Sequence, residues 1–242
     1  MGEETYVQDF SAVPADRYAV AQASESRYWN SQSRLWLVRC ALRIYLRGLY
    51  AWKVHRALVG PFGDDSAKPA NFGLVPEEVA AAVVVDVGCG PISQTLSLVH
   101  CSTVHVVDPL VALYRRLQPF GWWSFESVNA CAAEAMPFEA GSVDIVHCRN
   151  VLDHTREADK ILSEVARILR PGGTFLLNCD LREVGGGPGH PYRWDREVFE
   201  ERIFDQFEPM KVPVVIQAAN ELDDSGRDPA GQRHWVCRLK KR

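Results

Sequence analysis

The sequence predicts an α/β fold in which helices flank a doubly wound, parallel sheet. From residue 82 onward, short apolar runs alternate with helical periodicity, which is the signature of successive βαβ units. The first apolar run ends in a glycine cluster, as a strand does when it turns directly into a helix. The 242 residues, 47% of them hydrophobic and 24% charged, suffice for one large domain or two small ones with a packed core.

Five central strands are predicted from their apolar residues. Residues 83–85 are all Val and form the first strand, since a continuous apolar run is typical of a strand buried on both faces. The next four strands are predicted over residues 104–107, 125–128, 143–148 and 174–178. A helix over residues 110–117 joins the second strand to the third.

The clearest helical pattern in the sequence covers residues 158–169. Its apolar residues recur at i, i+3, i+4, i+7, i+10 and i+11 from Ala158, so they share one face of a helix. The segment RPGG at 170–173 is expected to end this helix, because Pro cannot continue it and Gly reverses the chain at low cost.

The remaining segments are predicted to complete the sheet and to cover it. A helix capped by Asp195 follows a Gly-rich loop. Two β-rich runs, residues 212–217 and 234–239, are expected to pair as a hairpin. Residues 1–71 are predicted to form an N-terminal helical cover, which also serves as a substrate segment, on a core of residues 72–242.

Charge and cysteine content limit the partners that the sequence predicts. The net charge of −4 and the pI of about 6.0 argue against a nucleic-acid partner. No apolar run approaches the roughly 20 residues that span a bilayer, and the first residues lack the apolar stretch of a signal peptide.

The seven cysteines contain no C-x-x-C pair, so we expect the reduced thiols of a cytoplasmic protein. The sequence leaves homo-oligomer formation open.

A candidate cofactor site follows the first predicted strand. The sequence DVGCG at 86–90 places glycines where the backbone turns tightly and a ligand can approach without a Cβ in the way. Asp108 ends the second strand, 20 residues after Gly88, where doubly wound nucleotide binders put a carboxylate on the ribose. The glycines alone also fit a tight turn without a ligand. Together with Asp108 they predict an adenosine site.

The residues around this turn favour S-adenosylmethionine over a nicotinamide dinucleotide. A dinucleotide fingerprint has a third Gly that allows close helix packing, and Ser93 occupies that position. Asp86 lies two residues before the first Gly and suits a cationic ligand. A carboxylate attracts an ammonium or sulfonium group, whereas it repels a pyrophosphate.

Five motifs, in order, resemble those of the class I S-adenosylmethionine-dependent methyltransferases. They are VVDVGCGP, HVVDP, AEAMPF, SVDIVHCRNVLDH and EVARILRPGGTFLL, and they lie between about residues 83 and 177. The resemblance implies a seven-stranded, Rossmann-like methyltransferase sheet, with S-adenosylmethionine as the cofactor and a small molecule as the acceptor. Two positions depart from the pattern: Pro91 replaces the usual third Gly, and Ala132 stands where relatives often have an Asp that reaches the adenine.

The resemblance also implies which residues bind the cofactor, all of them close to the ends of predicted strands. They are Asp86, Gly88 and Gly90 at the methionine part, Asp108 at the ribose, Ala133 and Glu134 at the adenine, and Cys148, Arg149 and Asn150 facing the methionine amino group, with Cys89 and Pro109 beside them.

Methyl transfer to a hydroxyl needs a base, and His154 is the catalytic candidate. In this in-line substitution the protein supplies proximity, alignment and the removal of a proton. His154 follows the fourth strand, and its neighbour Asp153 could orient it or act separately. In the alternative interpretation, Asp153 and Thr155 cap the following helix, and His154 packs on the sheet edge.

A second group of candidate acceptor residues follows the fifth strand. His190 and Tyr192 lie beside glycines in the segment GHPYRW at 189–194, which suits a closing loop that binds a polar ring. A rigid surface turn is the alternative. The pairing of NVLDH with GHPY resembles methyltransferases that act on sugars. Asp153, His154 and His190 could hold a divalent metal, but magnesium prefers oxygen ligands, so no metal is predicted.

The basic residues are concentrated in one segment. Residues 30–63 carry six Lys or Arg and no acid. Within them Arg39, Arg43 and Arg47 recur every four residues, which places them on one stripe of a helix. Three interpretations stay open: a solvated face of the cover, a site that binds an anionic acceptor, and attachment to an anionic membrane.

Taken together, these patterns predict an enzyme that moves a methyl group from S-adenosylmethionine to a hydroxyl of a small polar metabolite, a sugar derivative. Two alternatives remain. One is N- or C-methylation of another small metabolite. The other is a binding module that has kept the cofactor fold without the enzymatic activity.

Overall fold

A computed structural model gives the structure of the chain. It describes residues 18–20, 22–28, 30, 72, 74–90, 93, 95, 98, 102–117, 122–181, 196–210, 214–217 and 233–242. Of the predicted N-terminal cover, the described residues 18–20 and 22–28 are helical. Nothing in the described part of the chain is a helix long and apolar enough to cross a membrane.

A mixed sheet forms the centre of the molecule. In the described residues its strands are β1 (Val83–Val87), β2 (Thr103–Val107), β3 (Ser127–Asn129), β4 (Val143–Arg149), β5 (Leu169–Leu181), β6 (Phe207–Pro209), β7 (Val214–Gln217) and β8 (Arg233–Lys241). Their spatial order is β3-β2-β1-β4-β5-β8-β6, and β7 also pairs with β8.

The strand directions are those of a doubly wound fold. β1 to β5 are parallel to one another, and β8 runs antiparallel to β5. β6 and β7 pair with opposite ends of β8. Since both lie along the same edge of β8, the sheet is seven strands wide, as the sequence predicts.

The helices connect the strands and cover the sheet. From residue 72 onward, the described helices are α1 (Pro76–Val79), α2 (Val111–Leu117), α3 (Ala158–Ile168) and α4 (Arg196–Phe204), with short 3₁₀ turns at Trp122–Ser124 and Leu152–His154. The buried residues of α3 belong to the stripe that its periodicity predicts. They are Ala158, Ile161, Leu162, Val165 and Ile168.

Strand β1 packs against a different hydrophobic cluster on each face. Val85 and Val87 belong to the cluster that contains the apolar face of α3. Val84 points to the opposite face, because successive side chains alternate along a strand, and it packs with Phe72 and Val79. Both faces of β1 are therefore covered, which explains why its sequence is almost entirely Val.

The structure differs from the sequence expectations at three places. The helix α3 ends at Ile168, and β5 begins at the next residue, because Leu169 is already extended (φ −64°, ψ 134°). The RPGG segment thus belongs to an irregular start of β5, where the pairing with β4 shifts after Leu169.

Strand β3 is displaced to Ser127–Asn129. The three-residue β6 has no counterpart in the prediction, whereas the expected pairing of β7 with β8 is confirmed.

Truncating a side chain on the apolar face of α3 is expected to destabilise the fold. Ile161→Ala removes methyl groups from a fully buried site, which costs about 2–5 kcal/mol of unfolding free energy. Urea denaturation measures the loss. Lys160→Ala on the same helix is the control, because its side chain is 61% exposed and its ion pair with Glu157 lies at the surface, so at most about 0.5 kcal/mol is expected. Equal losses in the two variants would contradict this account of the core.

Candidate cofactor and active site

The carboxyl ends of three adjacent strands form the candidate site. β1 lies between β2 and β4 in the sheet, so the chain leaves β1 towards one side and later returns on the other. In open α/β sheets, ligands bind in the crevice at such a switch point. The sequence-predicted residues between 86 and 90, at 108, and between 148 and 154 are all brought to this one edge.

The turn after β1 requires glycine at two positions for different reasons. Gly88 and Gly90 both have positive φ, 64° and 61°. A Cβ on Gly88 would lie 2.2 Å from Cγ2 of Val151, so close packing excludes a side chain there. A Cβ on Gly90 would meet no atom of the described residues within 4 Å. Among those residues, the open side of the turn therefore lies at Gly90. Cys89, between the two glycines, is buried, and burial raises the pKa of its thiol well above the usual value.

Asp108 holds this turn from the end of β2. Its Oδ2 accepts a hydrogen bond from the Gly90 N–H (3.1 Å), and its Oδ1 accepts one from the Leu110 N–H (2.8 Å). The residue is 6% exposed, and this burial raises the pKa of its carboxyl to about 6. A carboxylate offers about four acceptor positions, so Asp108 keeps acceptor capacity for a ligand hydroxyl. Pro109, next to it, is exposed.

Asp86 lies beneath the turn and is held by side chains of this protein. Its Oδ1 accepts a hydrogen bond from Nδ1 of His147 (2.7 Å), and its Oδ2 accepts one from the Ser93 hydroxyl and one from the Thr95 hydroxyl (3.3 Å). The carboxylate is 2% exposed. The sequence analysis identified Asp86 as a site residue and considered Ser93 only because it replaces a glycine. No local motif pointed to His147 or Thr95.

The end of β4 supplies the next part of the site. Cys148 is fully buried, and burial raises the pKa of its thiol above the usual value, while Arg149 and Asn150 are half-buried. Asn150 has a left-handed backbone conformation (φ 50°), which Asn tolerates better than most residues. Its N–H donates to the carbonyl of Asn178 on β5 (2.8 Å). This bond fixes the direction in which the chain leaves the sheet.

His154 lies one turn beyond β4 with its imidazole between carboxylates. The side chain is 21% exposed. Its Nε2 lies 3.7 Å from Oδ2 of the buried Asp153 and 3.3 Å from Nδ2 of Asn150. Its Nδ1 lies 3.9 Å from Oε2 of Glu25. The two predicted catalytic residues are thus adjacent, and Glu25 is a third acidic group that the sequence analysis did not single out.

The helix-capping interpretation of this segment is wrong. The residue at the N-cap of α3 is Glu157, and no side chain caps that helix. The hydroxyl of Thr155 instead donates to the carbonyl of Leu152 within the preceding 3₁₀ turn (3.0 Å). Neither Asp153 nor Thr155 therefore caps α3.

The described helical residues 18–20 and 22–28 lie close to the same edge, since Glu25 is 3.9 Å from His154. Glu25 is near enough to Asp108 for its charge to raise the pKa of that carboxyl further. The pKa of the Tyr18 hydroxyl is raised by burial and then by the charges of Glu134 and Asp108. Part of the N-terminal segment therefore covers the candidate site, and Tyr18 also packs against the main hydrophobic cluster.

The predicted adenine-side residues lie between β3 and β4. Ala133 is buried, and Glu134 is half-buried. Oε1 of Glu134 accepts a long hydrogen bond from the Glu157 N–H (3.4 Å), which connects this loop to the start of α3.

Several predicted acceptor residues lie outside the described residues. They are His190, Tyr192, Arg39, Arg43 and Arg47. Their proposed contacts with an acceptor stay predictions. Among the side chains that the structure does describe, no group of three or more His, Cys, Asp or Glu could hold a metal ion.

A glycine turn at the switch point, held by a carboxylate on the next strand, defines a nucleotide-binding α/β protein. Comparison with known proteins narrows this class. Residues 85–177 match a family described as a methyltransferase domain. This part of the chain is similar to a methyltransferase domain, in agreement with its motifs, which resemble those of the class I S-adenosylmethionine-dependent methyltransferases. S-adenosylmethionine is the cofactor of that class.

Curated relatives of the chain include methyltransferases with different acceptors. A ubiquinone biosynthesis O-methyltransferase of Xanthomonas oryzae pv. oryzae is 30% identical over 117 residues, which cover 42% of this chain and 44% of that protein. A thiol S-methyltransferase of Homo sapiens is 35% identical over 105 residues, or 39% of this chain and 41% of that protein. The chain thus spans less than half the length of these relatives.

Solved structures share the fold over a longer stretch. The 1,6-didemethyltoxoflavin-N1-methyltransferase of Burkholderia thailandensis, solved with 1,6-didemethyltoxoflavin and S-adenosylhomocysteine, has a TM-score of 0.57. The match covers 100% of this chain and 97% of that chain, with 17% identity. At this identity the likeness extends to the fold alone.

The two glycines of the turn are expected to respond differently to substitution. Gly88→Ala and Gly90→Ala both place a Cβ on a left-handed residue, at a cost of about 1–2 kcal/mol. Gly88→Ala also drives a methyl group into Val151, so it should lower the free energy of unfolding by more than Gly90→Ala does. Urea denaturation of both variants measures the difference, and equal losses would contradict the packing at Gly88.

Proposed function

We propose that the protein is a methyltransferase that moves a methyl group from S-adenosylmethionine to a hydroxyl of a small polar metabolite, with His154 as the base. The observation that supports this most directly is the position of His154. It lies in the 3₁₀ turn beyond β4, on the same edge as the glycine turn, and has carboxylates on both sides of its ring. The resemblance of the NVLDH and GHPY segments to sugar methyltransferases favours a sugar derivative as the acceptor.

The described residues fit the proposed cofactor. The open side of the turn at Gly90 leaves room for a ligand against the backbone, and Asp108 has acceptor capacity for ribose hydroxyls. Ala133 and Glu134 would border the adenine, and Asn150 would face the methionine amino group. When bound, S-adenosylmethionine supplies a methyl group activated by a positively charged sulfur.

His154 is suited to take the proton of an acceptor hydroxyl. Proton removal by a positioned base contributes about 10²- to 10⁴-fold to such reactions. The imidazole becomes positively charged when it takes the proton, and the carboxylates of Asp153 and Glu25 lie within 4 Å of its two nitrogens. A positive charge on the ring is attracted to these carboxylates. Asp153 would thus be a positioning residue for His154, with Glu25 reinforcing it from the N-terminal helix.

Methylation of an amine is the second candidate. The same carboxylates, Asp153 and Glu25, would attract a protonated amine to the edge of the sheet. The relatives include O-, S- and N-methyltransferases, so the acceptor atom varies around a shared core. An amine acceptor depends less on a base, and the response to replacing His154 separates the two candidates.

The affinity for S-adenosylmethionine is expected to fall at acidic pH. Because the pKa of Asp108 is raised to about 6, its carboxyl is mostly ionised at pH 7.5 and mostly protonated at pH 5. The protonated group is a poorer acceptor for ribose hydroxyls, so binding should be strong above this pKa and weaken below it. Isothermal calorimetry should show the dissociation constant rising by up to about tenfold from pH 7.5 to pH 5.

The matched control for this experiment is Asp108→Asn, which cannot titrate in this range. It should bind more weakly than the wild type at pH 7.5 and show little further change at pH 5. The same pH dependence in the variant and the wild type would exclude Asp108 as its source. Failure of the wild type to bind S-adenosylmethionine at any pH would contradict the proposed function itself.

Replacing His154 is expected to slow methyl transfer without weakening cofactor binding. Transfer of a tritiated methyl group to a panel of sugar hydroxyls, amines and thiols first identifies the acceptor atom. On a hydroxyl acceptor, His154→Gln should lower kcat by about 10²-fold or more, because the proton has no positioned base. The dissociation constant for S-adenosylmethionine should stay within about twofold.

A second histidine serves as the control for this variant. His105 on β2 bonds through Nδ1 to the Ser127 hydroxyl (2.8 Å) and takes no part in the proposed site. His105→Gln should therefore keep the wild-type kcat. An unchanged kcat for His154→Gln would contradict its role as the base and would favour the amine alternative.

A further inference from the structure

A buried histidine on β4 is joined to the carboxylate that lies beneath the glycine turn. His147 and Asp86 sit side by side in the register of β4 and β1. Nδ1 of His147 is 2.7 Å from Oδ1 of Asp86, and since a carboxylate only accepts, the histidine donates. The imidazole is 1% exposed, and the ring of Phe72 packs against it edge-on with centroids 6.0 Å apart. The direction of this donor is therefore set by its hydrogen bond to Asp86 and by the contact with Phe72.

The second oxygen of the same carboxylate holds the chain beyond the turn. Oδ2 of Asp86 accepts from the hydroxyls of Ser93 and Thr95. Those two hydroxyls are 2.7 Å apart, and the Thr95 N–H donates to Oγ of Ser93 (3.2 Å). Both residues are buried. One carboxylate thus connects β4 to the segment that follows Gly90.

These contacts determine where the turn can lie. On its outer side, the Gly88 N–H donates to the carbonyl of Val107 (2.8 Å) and the Gly90 N–H donates to Asp108. Below it, Asp86 anchors the segment at residues 93 and 95. A buried carboxylate is costly unless its acceptors are satisfied, so the loss of one donor would let Asp86 and the attached segment move.

We propose that His147 is a positioning residue for the cofactor site. Through Asp86 it holds the segment after the glycine turn, and hence the backbone at Gly90, in the conformation that receives the cofactor. This inference rests on the cofactor binding proposed above. It gives the β4 strand two functions: His147 supports the site from below, and the end of the strand carries His154 to the site itself.

The experiment compares two replacements of His147. His147→Leu removes the donor, whereas His147→Asn keeps an N–H donor close to the position of Nδ1. Isothermal calorimetry should show the dissociation constant for S-adenosylmethionine rising by about tenfold in the Leu variant and by less than about threefold in the Asn variant. Ser93→Ala breaks the same connection on its other side and should also weaken binding. It provides the test if the Leu variant does not fold.

Two further measurements separate positioning from general destabilisation. His105→Leu is the control, because it removes a comparable side-chain bond on a neighbouring strand away from the turn, and it should leave the dissociation constant unchanged. Hydrogen exchange of the ligand-free protein should be faster for a peptide covering residues 87–96 in His147→Leu and Ser93→Ala than in the wild type, His147→Asn or His105→Leu.

The outcomes distinguish this inference from the proposed function. If the wild type does not bind S-adenosylmethionine, the proposed function fails, and the exchange measurement alone decides whether His147 holds the turn. Wild-type affinity and exchange in His147→Leu would overturn the inference. So would a weakening in His105→Leu equal to that in His147→Leu, or a failure of His147→Asn to restore binding.

Discussion

The site depends on two buried carboxylates that hold one glycine turn between them. Asp108 accepts from the backbone of the turn, and Asp86 holds the chain just beyond it. Both are almost fully buried, and a buried carboxylate is costly to the folded state unless hydrogen-bond donors satisfy it. The two carboxylates thus connect the turn and the chain after it to β2 and β4, the strands on either side of β1.

The order of the strands places every other part of the site. With β1 between β2 and β4, the turn, Asp108 and the residues after β4 meet at one edge without long connections. The left-handed Asn150 donates its N–H to β5, and Asp153 and His154 follow in a 3₁₀ turn at the same edge.

The relatives differ in the acceptor that their names give. The matching family segment, residues 85–177, contains the turn, Asp108 and His154. Two of the similar proteins are, by their names, an O-methyltransferase and a thiol S-methyltransferase. One fold can host different acceptors when the chemistry resides in loops at one edge of the sheet. In this chain Glu25 lies outside the matching segment, and its carboxylate approaches His154 at that edge.

The sequence alone determined the parallel sheet, helix α3, the glycine turn and the carboxylate at Asp108. Each depends on local periodicity or on spacing within a single βαβ unit, and such patterns are visible along the chain. Only the tertiary structure decided the partner of Asp86, because His147 lies 61 residues away and is matched to it by strand register. The same holds for Glu25 beside His154, and for the start of β5 at Leu169, which pairs with Val143 before the RPGG segment. Contacts between distant segments leave no periodic signal, so these features appear only when the sheet brings the segments together.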